Sequence, residues 1–405
     1  MEEEFGFSLE QIKEGSARIY VPKRRTLAKG MLRYRPSRST VFYNPMMSLN
    51  RDLAVAVFQA FQKQVGRDIS VCEPLGGCGV RSIRFALEVR GIRNIILNDI
   101  NPLAAKLSLY NVRGNKVEDL IRTTNLNANL LLQKYSGPKK RFDAIDLDPF
   151  GSPAPFLDST ISALKDGGLL AATATDTAPL CGVHPWACIR KYGAVPLRTE
   201  YCHELAVRIL LGMMAVSAGR RDFGIEVLMT HSTDHYVRSY VRVEFGAKKS
   251  NESLSKMGYV LHCFDCFHRE IARGFTMLPI TTCPECGGKL KIAGPLWADK
   301  IVNSEFCSSV LSEAKVDSSQ SKVSRQLLEK IVSEGEAPPT YYVIDRMCDK
   351  FGLPIPKTEE VIEKLREGGY SVAETHFHPK GLKTNAPALA VKNAVAKTSG
   401  VTKTG

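Results

Sequence analysis

The sequence predicts an α/β protein: a doubly wound, mainly parallel sheet followed by a smaller α+β domain that carries paired cysteines. Three observations support this. Between Ile69 and Thr173, short apolar runs alternate with helical patterns, the order of strand–helix–strand units. Past Lys248-Lys249-Ser250 that alternation stops and two Cys-x2-Cys pairs appear. With 405 residues, 44% hydrophobic and 24% charged, the chain is long enough for at least two domains of ordinary globular composition. The boundaries read as 1–250 for the sheet domain and 251–385 for the second domain. The cysteine module falls at 260–290, and a lysine-dotted tail over 386–405 is expected to fray.

Taken in order, residues 1 to about 50 join tyrosines and prolines to a basic run (Lys23, Arg24, Arg25, Lys29, Arg33, Arg35, Arg38). That run suits a cover segment, an RNA-facing arm or a solvated loop. Val41 to Pro45 is extended, and Asn50-Arg51-Asp52 opens a helix with apolar positions at Leu53, Val57, Phe58 and Phe61. Ile69-Val71 is the first buried strand and leads through Glu73-Pro-Leu-Gly76-Gly77-Cys-Gly79 into a helix. Asn94-Asn98 is a second strand ending at Asp99, and Asn101-Pro102 restarts a helix. Arg141-Ile145 is a third strand, followed by a helix around Phe156-Lys165 and a strand at Gly168-Thr173. Leu205-Ala218 is apolar but carries Arg208, so it reads as a core helix and not a membrane span. Gly224-Thr230 and Tyr236-Phe245 form an antiparallel pair. Helices are expected at Ser321-Ser333 and Thr358-Glu367.

Four features bear chemistry. Asp146-Leu-Asp148-Pro149-Phe150-Gly-Ser-Pro153 ends the third strand in acid, and its prolines forbid continuation. A carboxylate then stands at the carboxyl end of a strand, where open α/β sheets bind ligands. An exocyclic amine on a nucleobase is a poor nucleophile; Asp148 can accept its N–H and take the released proton, and Phe150 offers a stacking face. A helix-capping aspartate is the ordinary alternative, and Asp146 reads as structural. The Glu73-x-x-Gly76-x-x-Gly79 loop permits close backbone approach to a ligand, or is a plain strand-to-helix turn. Asp99, closing the second strand, can accept both hydroxyls of a ribose or cap the next helix. Cys263, Cys266, Cys283 and Cys286, with sixteen residues between the pairs, can close a tetrahedron around a structural Zn²⁺. His262 and His268 read as surface residues, and the other seven cysteines as buried small side chains.

The net charge of +13 favours a polyanionic partner, nucleic acid before membrane, though a merely basic surface is the alternative. Eleven cysteines without a signal-peptide pattern point to a reducing, cytoplasmic setting. Nothing requires a membrane or an obligate protein partner.

At these blocks the sequence resembles the tRNA (guanine-N2)-dimethyltransferases that act at position 26. Matching in order are Val41-Phe42-Tyr-Asn-Pro-Met-Met with Asn50-Arg51-Asp, Gly79-Val-Arg81-Ser-Ile-Arg-Phe-Ala, Leu97-Asn-Asp99-Ile, and Asp146 to Pro153. Thr173 to Gly182, Arg190 to Arg198, Cys202-His-Glu and Thr375-His-Phe follow. The resemblance implies a Rossmann-like S-adenosylmethionine-dependent methyltransferase domain. It implies Arg51, Arg81 and Asp99 as cofactor contacts, Asp148 as the residue engaging the guanine amine, and Phe42 with Phe150 as aromatic walls. The family commonly places Asp-Ala-Asn beside the adenine; here the block is Asn127-Ala128-Asn129, whose amide oxygen still accepts but carries no charge. The expected activity adds one methyl and then a second to the exocyclic N2 of guanine 26 in tRNA. Two rivals stand: an amino-methyltransferase on a DNA base, and a non-catalytic RNA-binding zinc protein.

Overall fold

The structure, a computed structural model, describes residues 5–23, 40–275, 281–314 and 319–399. Arg24, Arg25, Lys29, Arg33, Arg35 and Arg38 of the basic run lie outside the described residues, as do the tail residues 400–405. The chain divides into two compact units, Met1–Thr173 with Ser308–Gln326, and Ala174–Cys307 with Leu327–Gly405.

The first unit opens with an antiparallel hairpin, β1 (Leu9–Glu14) and β2 (Ala17–Pro22). Ala17, Ile19 and Val21 are buried on one face of β2, the period of two expected of a half-buried strand. Then follow α1 (Ser48–Val65), β3 (Ile69–Glu73), α2 (Val80–Glu88), β4 (Ile92–Asn98), α3 (Pro102–Gly114), β5 (Ile121–Thr124), α4 (Ala128–Lys134), β6 (Phe142–Leu147), α5 (Leu157–Ser162) and β7 (Leu164–Ala174). The strands lie in the order β5-β4-β3-β6-β7, and every pairing among them is parallel. Each residue of β3 and β6 is buried, which fits their apolar-rich character, and the polar Ser70 and Asp143 within them are buried together as a hydrogen-bonded pair. Chain order reverses between β3 and β6, so the crevice outside their carboxyl ends is the switch point where such sheets receive ligands. The doubly wound arrangement expected from the sequence is present.

In the second unit come α6 (Thr177–Leu180), α7 (Pro185–Tyr192), α8 (Cys202–Gly219), the antiparallel pair β8 (Phe223–Thr233) and β9 (Tyr236–Phe245), and α9 (Ala247–Leu254). Among the described residues only α8 has the length and composition to cross a membrane, yet most of it is buried within the protein. Its one buried ion pair, Arg208 to Glu204 at 2.7 Å, is joined by Lys383 at 3.0 Å from Glu204. A sheet ordered β11-β10-β12 (Arg269–Arg273, Met257–Cys263, Leu290–Trp297) carries the cysteine module. α10 (Ser304–Glu313) and α11 (Ser319–Ser333) follow in the chain, with Ser308–Gln326 belonging to the first unit. A last small sheet of β13 (Tyr342–Val343), β15 (Gly381–Thr384) and β14 (Val372–Glu374) accompanies α12 (Ile344–Phe351) and α13 (Thr358–Glu367).

The expected fraying tail is corrected over most of its length. Ala388–Thr398 forms α14, whose Val391, Ala394 and Val395 are buried at helical spacing in one core with Met347, Val361 and Leu365. That apolar stripe orders the segment despite its lysines.

Candidate active site

Both strands at the switch point end in acid, and one guanidinium gathers their carboxylates. Arg81, in the first turn of α2 and 2% exposed, pairs through Nη2 with Asp148. Its Nε lies 3.4 Å from Asp146 and 3.7 Å from Glu73, and its Nη1 donates to Asn50 Oδ1 at 2.9 Å. Burial pushes Glu73 up to about 8; Arg81 opposes that rise, and neighbouring Asp146 adds to it. Three acids around one base leave a negative surplus, a setting that favours a cationic ligand. Asn50 is fully buried and its Nδ2 donor has no partner among the described residues.

Asp148 keeps 18% of its side chain exposed despite the ion pair. Phe42 and Phe150 flank the crevice with ring centroids 6.2 Å apart at 67°, and they are 41% and 72% exposed. Gly77, at φ +55°, explains how Phe42 reaches this place: a Cβ there would sit 2.9 Å from the Phe42 carbonyl oxygen. The same loop grips Asp99, whose Oδ2 accepts from Gly77 N and whose Oδ1 accepts from Asn101 N, each at 2.8 Å. Burial raises Asp99 above the usual carboxylate range against those two donors.

Arg51 stands apart from the acids of the crevice. Its fork grips both oxygens of Glu14 at 2.5 and 2.6 Å and donates to Asn44 O at 3.1 Å. Burial alone would raise Glu14; Arg51, Arg84 and Tyr43 together outweigh it and hold the carboxyl below its usual range. With Tyr43 donating to Glu14 at 3.0 Å, the pair anchors the segment that presents Phe42. Asn127 is exposed, and its Oδ1 caps α4, accepting from Asn129 N at 2.9 Å; Ala128 behind it is buried. Arg81, Asp148, Phe42, Phe150 and Asp99 therefore line one crevice, Asn127 and Ala128 stand at the end of the neighbouring β5, and Arg51 acts on the segment beside Phe42.

Sequence reasoning missed Ile100 and Leu126, 59% and 40% exposed at the ends of β4 and β5. Asn98 clamps Leu126 through N–H and C=O at 3.0 and 2.9 Å, so this apolar edge is fixed beside Asp99. An exposed isoleucine directly after the strand-ending acid was the available signal. Glu14 gave none.

The four cysteines of the second unit do converge: their Sγ atoms all lie within 4.8 Å of one another, with Cys263–Cys286 and Cys266–Cys283 each at 3.5 Å. A tetrahedron with metal–sulfur bonds of about 2.3 Å has edges of about 3.8 Å, so the cluster fits a closed zinc site. The two knuckles repeat each other. Phe267 N donates to Cys263 O and Gly287 N to Cys283 O, and Cys263 N and Cys283 N return to the carbonyls of His268 and Gly288. Phe267 and Gly287 share a positive φ, at 65° and 73°. The histidine reading is corrected in part. His268 pairs with Glu285 at 3.0 Å, but His262 is fully buried in β10, edge-on to Tyr201 and Phe264. Six of the other seven cysteines are buried, as expected, and Cys202 is half-buried.

Comparison with known proteins bears on this geometry. A family model described as N2,N2-dimethylguanosine tRNA methyltransferase matches residues 15–396. A Methanosphaera stadtmanae protein named tRNA (guanine(26)-N(2))-dimethyltransferase is 39% identical over 385 residues, 95% of this chain and 96% of that one. An Aquifex aeolicus protein named tRNA (guanine(26)-N(2)/guanine(27)-N(2))-dimethyltransferase is 35% identical over 380 residues, 93% of each chain. The solved structure of Trm1 from Pyrococcus horikoshii with S-adenosyl-L-methionine superposes with a TM-score of 0.83 at 36% identity, covering 96% of this chain and all of that one.

Proposed function

The chain belongs to the N2,N2-dimethylguanosine tRNA methyltransferase family, and on that premise we propose that it transfers one methyl group and then a second to the exocyclic N2 of guanine 26 in tRNA. The observation that carries the reading is Asp148, held between Arg81 and two exposed aromatic rings at the switch point of a parallel sheet. S-adenosylmethionine, when bound, supplies an electrophilic methyl on a positively charged sulfur. The residues present fit it: a glycine loop with a left-handed turn, an acid at the end of β4 with lone pairs for ribose hydroxyls, and the orphaned Asn50 Nδ2 for an acceptor oxygen. Arg51 and Arg81 would turn their remaining N–H groups toward its carboxylate, and Asn127 with Ala128, beside Ile100 and Leu126, would border its adenine.

Phe42 and Phe150 hold the guanine, which leaves its stack before reacting because a stacked base hides its amine. Asp148 accepts a hydrogen bond from the amine, aims the nitrogen lone pair and takes the released proton. The cysteine cluster holds Zn²⁺ as a structural ion, and the eleven thiols suit a reducing, cytoplasmic compartment. The donor-binding region is taken as 1–250 and the zinc-bearing region as beginning at 251.

The test is Asp148→Ala with a tRNA transcript and labelled donor. Transfer is expected to be lost while donor binding, read by calorimetry, persists; retained turnover removes Asp148 from its role. Mass analysis of nucleosides from the wild-type reaction distinguishes one methyl from two, and guanine 26 from a neighbour.

A further inference from the structure

We propose that Trp186, with Arg190 and Arg198, forms a second RNA contact, a stacking platform on which an unpaired base of the substrate tRNA rests. Two buried residues of α7, Cys188 and Tyr192, four apart, pin one face of the helix. Trp186 and Arg190, also four apart and two residues out of phase, point the other way and are exposed. Trp186 is 73% exposed, so its indole face is open to a partner. The loop before it is fixed rather than loose. Val183 N donates to Ala178 O at 2.9 Å, and Gly182 at φ +86° packs so closely that a Cβ would meet Arg198 N at 2.8 Å. That contact brings Arg198 alongside the Trp186 loop.

Charge selects RNA as the occupant. From Thr177 to Thr199 the chain contains no acidic residue, while His184, Arg190, Lys191 and Arg198 are all exposed. Lys191 is neutralised by Asp176 at 2.8 Å, but Arg190 and Arg198 make no ion pair among the described residues. An indole face beside unpaired guanidinium groups is what single-stranded RNA uses, a base on the ring and phosphates on the cations. A protein partner would instead be expected to cover a broader apolar area, with paired charges at its rim.

This inference rests on tRNA being the substrate, and intrinsic fluorescence separates the two ideas. The chain has two tryptophans, and the other, Trp297, is 1% exposed with its Nε1 donating to Lys300 O. Emission from the zinc-loaded full chain therefore reports Trp186 to anything that arrives from solvent. Titration with an unmodified tRNA transcript is expected to quench it, and inorganic polyphosphate at equal charge is not. Trp186→Ala should raise the KM for tRNA about tenfold, the size of one base–aromatic stack, with kcat and donor affinity unchanged. Trp186→Phe, which keeps a flat ring, should recover most of that loss. Unquenched emission on saturating transcript, together with a Trp186→Ala KM within twofold of wild type, overturns the platform. A wild-type enzyme that transfers no methyl to tRNA would instead sink the reading it rests on.

Discussion

Arg81→Met is the substitution whose outcome the structure constrains most tightly. Methionine keeps the apolar stem packed and removes only the guanidinium fork. At 3.4 and 3.7 Å from Asp146 and Glu73, with an effective dielectric of about 20, each lost attraction has a gross size of about 5 kcal/mol. Desolvation cancels much of that in the intact cluster, so the net loss on removing one partner of a buried group is about 3–5 kcal/mol. For a unit of this size that corresponds to a melting temperature lower by about 6–20 °C. The deficit must also depend on pH. Glu73 is raised to about 8 in the folded protein, so its contribution to stability is full below the ordinary glutamate range and is lost as pH rises through about 8. Arg81 opposes that rise, and without it Glu73 climbs further. The melting deficit of Arg81→Met, measured by scanning calorimetry, should therefore be larger at pH 8.5 than at pH 5.5, where Glu73 is protonated. An equal deficit at both values, or one below about 1 °C at pH 8.5, would falsify the shared-counter-ion account.

Two further outcomes follow from local geometry. Gly77→Ala forces a Cβ to 2.9 Å from the Phe42 carbonyl at a φ of +55°, and should cost about 1–3 kcal/mol of stability and weaken donor binding, checked by melting and calorimetry; unchanged values would mean the loop does not position Phe42. Chelation, or Cys283→Ser, should release one zinc per chain in a metal assay and lower the melting transition of the second unit, while a metal-free protein with an unchanged transition would refute a structural ion.

The parallel sheet was legible because β3 and β6 are buried on both faces, so each is an apolar-rich run with acid at its carboxyl end, alternating with helical patterns. The cysteine cluster was legible because two Cys-x2-Cys pairs at that spacing can close a tetrahedron, and both knuckles close with the same hydrogen bonds. The β1–β2 hairpin was legible in principle: Ala-Arg-Ile-Tyr-Val alternates cleanly, but the basic run beside it drew the reading toward a cover segment, an RNA-facing arm or a solvated loop. What the sequence could not display is the hairpin's anchor. Tyr20 N and Arg18 N donate to Asn111 and Asn115 at 2.7 and 2.9 Å, partners some ninety residues away. The helical stripe of α14 failed for another reason. Alanines and valines at that spacing carry a weak apolar signal, and the core they complete is built from residues scattered over 340–395.

Arg81 is where the two kinds of reading have to be reconciled. Family resemblance makes it a cofactor contact, whereas the structure commits it to Asp148, Asp146, Glu73 and Asn50. A guanidinium carries five N–H groups in a rigid plane, so these roles do not exclude each other. The pair with Asp148 takes one edge of the plane and leaves that carboxylate partly open to solvent beside two exposed rings. A lysine could neutralise the same acids but could not hold Asn50 and Asp148 in fixed mutual orientation from one rigid group. Reaction at an amine nitrogen needs the accepting carboxylate placed to a fraction of an ångström, and that is what a fork buried at the switch point supplies. The same fork opposes the rise that burial imposes on Glu73. Position and charge at Asp148, the carboxylate proposed to react, are thus set by one side chain, which is why its loss should be felt in stability and its pH dependence together.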